Sequence, residues 1–293
     1  MLPPAESALN NDILPVFGGD YLDEITRIEV KRWVTGIRKR LAHSTLRDAV
    51  ILLSMILGDA LEDGLITTSP CRKLRLGTEP PRTYETATPA EVEHIAARCS
   101  PADALLIRTA AYTGLRFSEL AALRWTNLDL THGMLTVDAS TGALHDVTGS
   151  LTLGPPKTPT SARTVHLPDG LVNDLRTHTS QSDHVFTTEH GEFLRRSNFR
   201  RRVWIPAVAG NQRRGWSPVL PGLTFHGLRH THTTWMIEDG VPEVLQHQRL
   251  GHRMPGVQGI YSHRTKTMTS HMLTALEHRW ASAHSPHSDT PAP

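Results

Sequence analysis

Cysteine is nearly missing from this sequence: Cys71 and Cys99 are the only two, and they form no CxxC pair. That excludes a disulfide framework and a zinc ribbon, and leaves two ordinary buried or half-buried thiols. An excess of charge of one sign is missing too, since 31 Lys and Arg face 29 Asp and Glu for a balance of +2. Bulk charge therefore does not announce a nucleic-acid partner. No apolar run is long enough to span a bilayer, and charges interrupt every candidate, so no membrane partner is expected. The opening MLPPAESALNNDILP lacks a basic start followed by an apolar core, which argues against a secretory signal and for the cytoplasm. No Gly-Lys dipeptide and no HExxH occur, so neither ATP hydrolysis nor zincin chemistry has a local signature. No internal repeat is visible.

What is there has a globular composition, 38% hydrophobic and 20% charged over 293 residues, enough for one large domain or two ordinary ones. The Pro-, Thr- and Glu-rich stretch GTEPPRTYETATP, from Gly77 to Pro89, reads as an exposed linker between two regions. Before it the pattern is helical. Thr26 with Glu29 makes a capping-box start for RIEVKRWVTGIRKR. Ser44 is placed to cap TLRDAVILLSMILGDALED, which Gly64 ends. This module of about 60 residues is small for a domain holding its own core.

After the linker the pattern is mixed. Thr88-Pro89 with Glu91 opens a helix through Ala97, another covers roughly Ala102 to Tyr112 until Thr113-Gly114 breaks it, and a third runs through FSELAALRW. The period then changes, giving short strands at 135–139, 150–154 and 163–167, the last two forming a hairpin with Pro155, Pro156 and Pro159 in its turn. Helices follow at 169–178, 197–209, 225–238, 242–250 and 267–281, and the closing SPHSDTPAP reads as disordered. The fold class is mostly α with a small antiparallel β-sheet (α+β).

The candidate chemistry is a set of basic residues at helix starts. In TGLRFSEL, Arg116 follows a Gly turn and stands three residues before Glu119, so the carboxylate shares its face and can hold the guanidinium. Arginine suits a bidentate grip on a tetrahedral phosphate. In TFHGLRHTHTTW, His226 and Arg229 are again three apart near a helix N-terminus, where free N–H groups favour anions. Arg229 would grip, and His226 would move protons near neutral pH. His230 and His232 suggest a metal, but no third ligand cluster lies nearby in sequence, so none is expected. In RLGHRMPGVQGIYSH, Leu250-Gly251 ends a helix, His252 follows, and Tyr261 stands nine residues later. A phenol with a free pKa of about 10 needs neighbouring cations to attack. Lys157 lies in the Pro-rich turn, either simply solvated or reaching into a DNA groove to donate a proton. The stretch holding Arg195, Arg196, Arg200, Arg201 and Arg202 carries no acid and fits either a phosphate backbone or a solvated helix face.

Each feature alone is weak, but the order Arg116, Lys157, His226, Arg229, His252, Tyr261 resembles the tyrosine recombinase (phage integrase) family, of the actinobacterial phage and integrative-element type. The phrases TGLRFSEL, GPPKTPTSARTVHLP, FHGLRHTHTT and LGH carry the resemblance, which spans 88–283 and the helical module before it. The resemblance implies site-specific DNA recombination through a 3′-phosphotyrosyl intermediate, with no ATP, metal or other cofactor. Tyr261 would be the nucleophile, and Arg116 and Arg229 would bracket the non-bridging oxygens. Lys157 resembles the general acid for the leaving 5′-oxygen, His226 the acid/base partner of Tyr261, and His252 a hydrogen-bond donor to the phosphate. Glu119 would orient Arg116.

The resemblance also implies residues 1–76 as a core-binding domain, 77–88 as linker, 89–283 as catalytic domain and 284–293 as tail. The two domains clamp DNA in relatives. Its partners would be double-stranded attachment sites, copies of itself in a tetramer on DNA but a monomer off it, and an excisionase or host architectural protein. The helix at 267–281 is the segment that would pass to a neighbour. The sequence departs from the family in two places. NNDILPVFGGDYLDEIT looks like the end of a family segment whose preceding helix is missing, so the first domain is expected to be N-terminally truncated, without an arm-binding domain. Gln258 and Gly259 replace a usually Thr-rich stretch, and Gly256 and Gly259 weaken helix before Tyr261. A DNA-binding relic that no longer joins strands, and a type IB topoisomerase-like enzyme, keep the same residues as alternatives.

Overall fold

Residues 4–78, 83–179, 182–254 and 265–285 are described by the computed structural model, in which the chain divides into two units, residues 1–82 with 147–149 and residues 83–146 with 150–293. The first unit is helical: α1 (Pro4–Ala8), a π turn (Leu9–Ile13), α2 (Leu14–Phe17), α3 (Arg27–Ile37) and α4 (His43–Glu62). The capping box forms as read. The Thr26 hydroxyl accepts from the Glu29 N–H at 3.3 Å, and the Glu29 carboxylate accepts from the Thr26 N–H at 2.8 Å. α3 buries Val30, Trp33, Val34 and Ile37, and α4 buries Leu46, Ala49, Val50, Leu53, Leu57 and Ala60, the three- and four-residue spacing of one helix face. Trp33 pins the opening segment to this core: its Nε1 donates to the Asp12 carbonyl at 2.8 Å, and its ring meets Phe17 edge-on. Ser44 is not the cap of α4. The helix begins at His43 with Ala42 at the N-cap and no side-chain cap bond. Burial of Leu46, which the first turn delivers to the core, sets this start instead of a hydroxyl.

The second unit is built around α6 (Pro101–Thr113), which follows α5 (Pro89–Ala96) and precedes α7 (Phe117–Ala121). Nearly every α6 residue from Ala104 to Thr113 is buried, because α5 and α11 (Gly227–Glu238) cover it together with α8 (Asp169–Thr177). Gly114 ends α6 in the left-handed conformation, with φ 67°. The segment that opens the second unit packs here too. Tyr84 stacks on His230, the Ala87 N–H donates to the Thr231 hydroxyl, and Trp235 Nε1 donates to the Ala87 carbonyl.

Strands β1 (Leu128–Asp129), β2 (Met134–Val137) and β5 (Arg163–His166) form one antiparallel sheet in the order β1-β2-β5, with Leu135 opposite Val165. β3 (Ala143–Val147) and β4 (Ser150–Gly154) form a separate two-stranded sheet around a Thr148-Gly149 turn, both residues at positive φ. The 150–167 hairpin expected from the sequence therefore does not exist, since β4 pairs with β3 and β5 with β2. Alternation tells which face of a strand is apolar but not which strand lies beside it. Lys157 thus sits in the connection between two sheets, not at a hairpin tip.

The helix expected at 197–209 is present but interrupted: α9 (Arg196–Phe199), a π turn (Arg200–Trp204) and α10 (Ile205–Ala209) run in sequence. Pro206 cannot donate to the Arg202 carbonyl and its ring crowds that group, which a widened turn relieves. α12 (Glu243–Leu250) and α13 (Lys266–His284) complete the unit. α13 docks on α5 and α8 of its own unit, burying Met272, Leu276 and Trp280. Gly170 allows this docking, because a Cβ there would stand 2.2 Å from the Trp280 indole nitrogen. The segment expected to pass to a neighbour is, in the single chain, part of its own core. Among the described residues no helix is long and apolar enough to cross a membrane.

Candidate active site

The end of α6 turns the chain into α7 with Arg116 at its N-cap. Arg116 is held from its own helix. Its N–H donates to Glu119 Oε2 at 3.0 Å and its Nη1 to Glu119 Oε1 at 2.7 Å, while Nη1 also reaches the Ser161 hydroxyl at 3.1 Å. Glu119 is only 3% exposed and takes a second guanidinium, Arg163 Nη2, at 3.1 Å. Burial pushes the Glu119 carboxyl up, but Arg163, then the Arg116 N–H and guanidinium, outweigh it and hold the group below its usual value.

Arg229 stands in the first turn of α11 and is buried. Its Nη1 donates to the Gly114 carbonyl at 2.6 Å, and its Nη2 to the Leu250 carbonyl at 2.5 Å and to His252 Nε2 at 2.8 Å. Since a guanidinium only donates, His252 offers a lone pair at Nε2 and carries its proton on Nδ1, a tautomer assigned from this bond. Desolvation, then Arg229 and Arg116, lowers the His252 pKa to about 4. His226 opens to solvent on one side. The protein packed around it, then His230, Arg229, Arg196 and Arg116, lowers its pKa to about 4 as well. Both imidazoles are neutral at pH 7, and His226 does not titrate near neutrality as its ordinary value led us to expect.

The turn Leu250–Gly251–His252 is gripped from several sides. Arg163 Nε donates to the Arg249 carbonyl at 2.6 Å, and the Thr160 hydroxyl to the Gly251 carbonyl at 3.3 Å. Gly251 has φ 68°, and a Cβ on it would stand 2.9 Å from Ser161 Cα, so the chains meet where only glycine fits. His232 does not join His230 in a ligand pair. It is fully buried, its Nδ1 donates to the Ala111 carbonyl at 2.9 Å, and its Nε2 accepts from Arg249 Nε at 2.8 Å, which uses both nitrogens.

Of the residues expected at the site, Arg116, Arg229, His226, His252 and Glu119 come together. Lys157 is exposed in the β4–β5 connection, beside Thr158, whose hydroxyl lies 2.9 Å from Ser161 and so one step from Arg116. Tyr261 lies outside the described residues, as do Gly256, Gln258, Gly259 and the tail beyond Ser285. Arg196, Arg200, Arg201 and Arg202 are exposed, and Arg196 is close enough to His226 to depress it. Arg195 pairs with Asp146 at 2.7 Å. Sequence reasoning missed Ser161, Arg163 and Arg249, and weighed His232 only as a metal ligand. The signal for Arg163 was present, in a Ser-Ala-Arg run just after Lys157, but its partners Glu119 and the Arg249 carbonyl are remote in sequence.

Residues 85–268 match the phage integrase family, which is well over half of the chain. The chain belongs to the phage integrase family. Among relatives of this integrase-family chain are the integrase of Mycobacterium phage L5, 28% identical over 83% of this chain, and a putative prophage phiRv2 integrase of Mycobacterium tuberculosis, 28% identical over 88% of it. Both agree with the actinobacterial phage type read from the motifs. The chain spans 65% of the length of the phage L5 integrase and 68% of the phiRv2 protein. Its fold matches the Tn1549 transposon integrase in complex with transposon right end DNA, at a TM-score of 0.71 and 19% identity, covering 91% of this chain and 89% of that one. It also matches a lambda integrase dimer bound to a core site, at a TM-score of 0.62 and 17% identity, covering 89% of this chain and 90% of that one. In this family member three guanidinium groups (Arg116, Arg163 and Arg229) and two neutral imidazoles share one cluster, and the carboxylate that orders it, Glu119, is buried behind Arg116 and Arg163. Such an arrangement suits a tetrahedral anion.

Proposed function

We propose that the chain is a tyrosine-type site-specific recombinase that cuts and rejoins double-stranded DNA at attachment sites through a 3′-phosphotyrosyl bond to Tyr261. The observation that carries this reading is the hydrogen-bonded placement of Arg229 against His252, beside Arg116 on its Glu119 anchor. Negative charge that builds on the non-bridging oxygens would meet two fixed guanidinium groups that need no reorganisation. The Tyr261 oxygen forms a bond to phosphorus and the bond to the 5′-oxygen breaks. The phenolic proton passes to neutral His226, and Lys157 protonates the departing oxygen. The 5′-hydroxyl of a second strand then attacks the phosphotyrosine, so the phosphoester is exchanged and no ATP is consumed.

In this reading residues 1–76 form the core-binding domain, 77–88 the linker, 89–283 the catalytic domain and 284–293 a tail. Arg195, Arg196, Arg200, Arg201 and Arg202 contact the DNA backbone. The working form is a homotetramer on paired sites and a monomer off DNA, with an excisionase or host architectural protein setting direction, in the cytoplasm. The test is covalent trapping on a nicked suicide duplex carrying the element's own ends. The chain should form an adduct that Tyr261→Phe abolishes, and cleavage surviving that change defeats the assignment. Strand exchange between two marked duplexes separates a recombinase from a topoisomerase-like enzyme. Salt-sensitive binding with no adduct would leave a DNA-binding relic.

A further inference from the structure

We propose that Arg249 and His232 form a buried positioning pair that sets Arg229 and His252 for the scissile phosphate, an inference that rests on the recombinase reading above. Arg249 is 4% exposed, and its guanidinium uses neutral acceptors: His232 Nε2, the His166 carbonyl and the Tyr112 carbonyl, each at 2.8 Å. No carboxylate is among them. Stability alone gives no reason for an arginine here, because a well-packed apolar side chain of similar volume commonly serves a fold as well as a buried cation or better. What the guanidinium supplies is geometry: a rigid fork that draws β5, α6 and α11 to one point from its base on α12.

The end of α6 is the shared reference. Its carbonyls at Ala111, Tyr112 and, just beyond, Gly114 would be orphans at a helix C-terminus. They are taken in turn by His232 Nδ1, Arg249 Nη2 and Arg229 Nη1. Cations are favoured at this negative end of the helix, which accounts for Arg249 being tolerated without a counter-ion. The frame that fixes Arg249 is therefore the frame that fixes Arg229. Backbone continuity closes the loop, since Arg229 Nη2 binds the carbonyl of Leu250, the next residue, and His252 two residues further on. The Arg249 carbonyl in turn accepts from Arg163, which shares Glu119 with Arg116. A shift of Arg249 would thus displace all three groups at once, although Arg249 itself touches no substrate.

The test compares wild type, Arg249→Met, His232→Phe, His232→Gln and the double Arg249→Met/His232→Phe. Single-turnover adduct formation, duplex binding, thermal midpoint and the His252 imidazole titration in the DNA-free protein are read for each. Arg249→Met should slow adduct formation by about 100-fold, the scale expected from misplacing catalytic groups by about an ångström. Duplex binding should stay within about threefold, with the midpoint lowered because the Tyr112 and His166 carbonyls and His232 Nε2 lose their donor. The His252 titration should move up from about 4 toward 6.5 as Arg229 loosens against it. His232→Gln should restore most of the rate, because its oxygen can accept from Arg249 and its amide donate to Ala111. His232→Phe, which fills the space with neither bond, should stay slow. The double variant should be no slower than its slower parent, as for two residues acting as one unit.

A wild-type rate in Arg249→Met overturns the proposal, as does a faster Phe than Gln variant at position 232, or losses that multiply in the double variant. If Arg249→Met does not fold, the Gln-against-Phe order decides alone. Absence of an adduct from the wild type itself would instead sink the recombinase reading.

Discussion

Arg229 donates to His252 from Nη2 to Nε2 across 2.8 Å, so the same nitrogen that would serve a phosphate oxygen is already an acceptor in the DNA-free protein. For His252 to donate there, Nε2 must release the bond from Arg229 and carry a proton, either by exchange of tautomer or by protonation of the ring, which the field of an incoming anion favours. The resting site is cationic on its arginines and neutral on its imidazoles.

This state gives stability a definite pH dependence. His226 and His252 have folded pKa values lowered to about 4 from 6.5. Between those values the unfolded chain binds protons that the folded chain does not, so stability falls as pH drops from 6.5 toward 4. Thermal unfolding across that window should show the fall, and His252→Gln should make it shallower while changing little at neutrality, His184, His226, His230 and His232 still contributing. Superimposed curves for the variant and wild type would contradict the assignment.

Arg229→Lys should cost more than a charge-conserving change suggests. A lysine amine is a point donor and cannot span the Gly114 and Leu250 carbonyls and His252 together. Adduct formation should drop by about 10²–10³-fold, the scale for removing a preorganised donor, with duplex binding much less affected. Single-turnover trapping reads the first quantity and a gel-shift titration the second.

Glu119→Gln removes the one carboxylate shared by Arg116 and Arg163. Breaking a buried pair costs about 3–5 kcal/mol, and glutamine, which keeps an acceptor, should sit at or below the low end. The Glu119 carboxyl is held below its usual value of 4.5, so its contribution is complete above that pH and is lost as pH falls through its lower folded value. The gap in denaturation midpoint between wild type and variant should narrow in that acid range. A gap independent of pH would mean the carboxylate is not the source.

Trp280→Ala tests the docking of α13 on its own unit. Trp280 is buried and lies over Gly170, so its truncation should destabilise the protein by about 3–5 kcal/mol. The loss should be the same at dilute and high protein concentration. A loss seen only at high concentration would instead place the helix on a neighbouring copy.

Local chemistry was legible where it acts locally. The Thr26–Glu29 and Thr88–Glu91 capping boxes, the Gly114 stop and the helical faces of α3 and α4 all follow from spacing within one element. Arg116 and Glu119 could be paired for the same reason, three residues apart on one turn. What could not be read is whatever depends on partners across the chain. The pairing of β4 with β3 is one case, because two strands of similar alternation leave the choice of neighbour open. Arg163 and Arg249 are another, since each acts through carbonyls, and a carbonyl carries no mark in a sequence. The depression of His226 is a third: it comes first from the protein packed around the ring, then from His230 and Arg229, and last from Arg196 and Arg116, which only the fold brings near.

The last turn of α6 also bears on how this gene can drift. Adding or deleting one residue between Ser100 and Gly114 would rotate the carbonyls at its end by about 100°, and all three side chains anchored there would lose their partners together. Length in that stretch is therefore rigidly constrained, whereas the exposed turn at Glu189–Gly191 can accept insertions without touching the cluster.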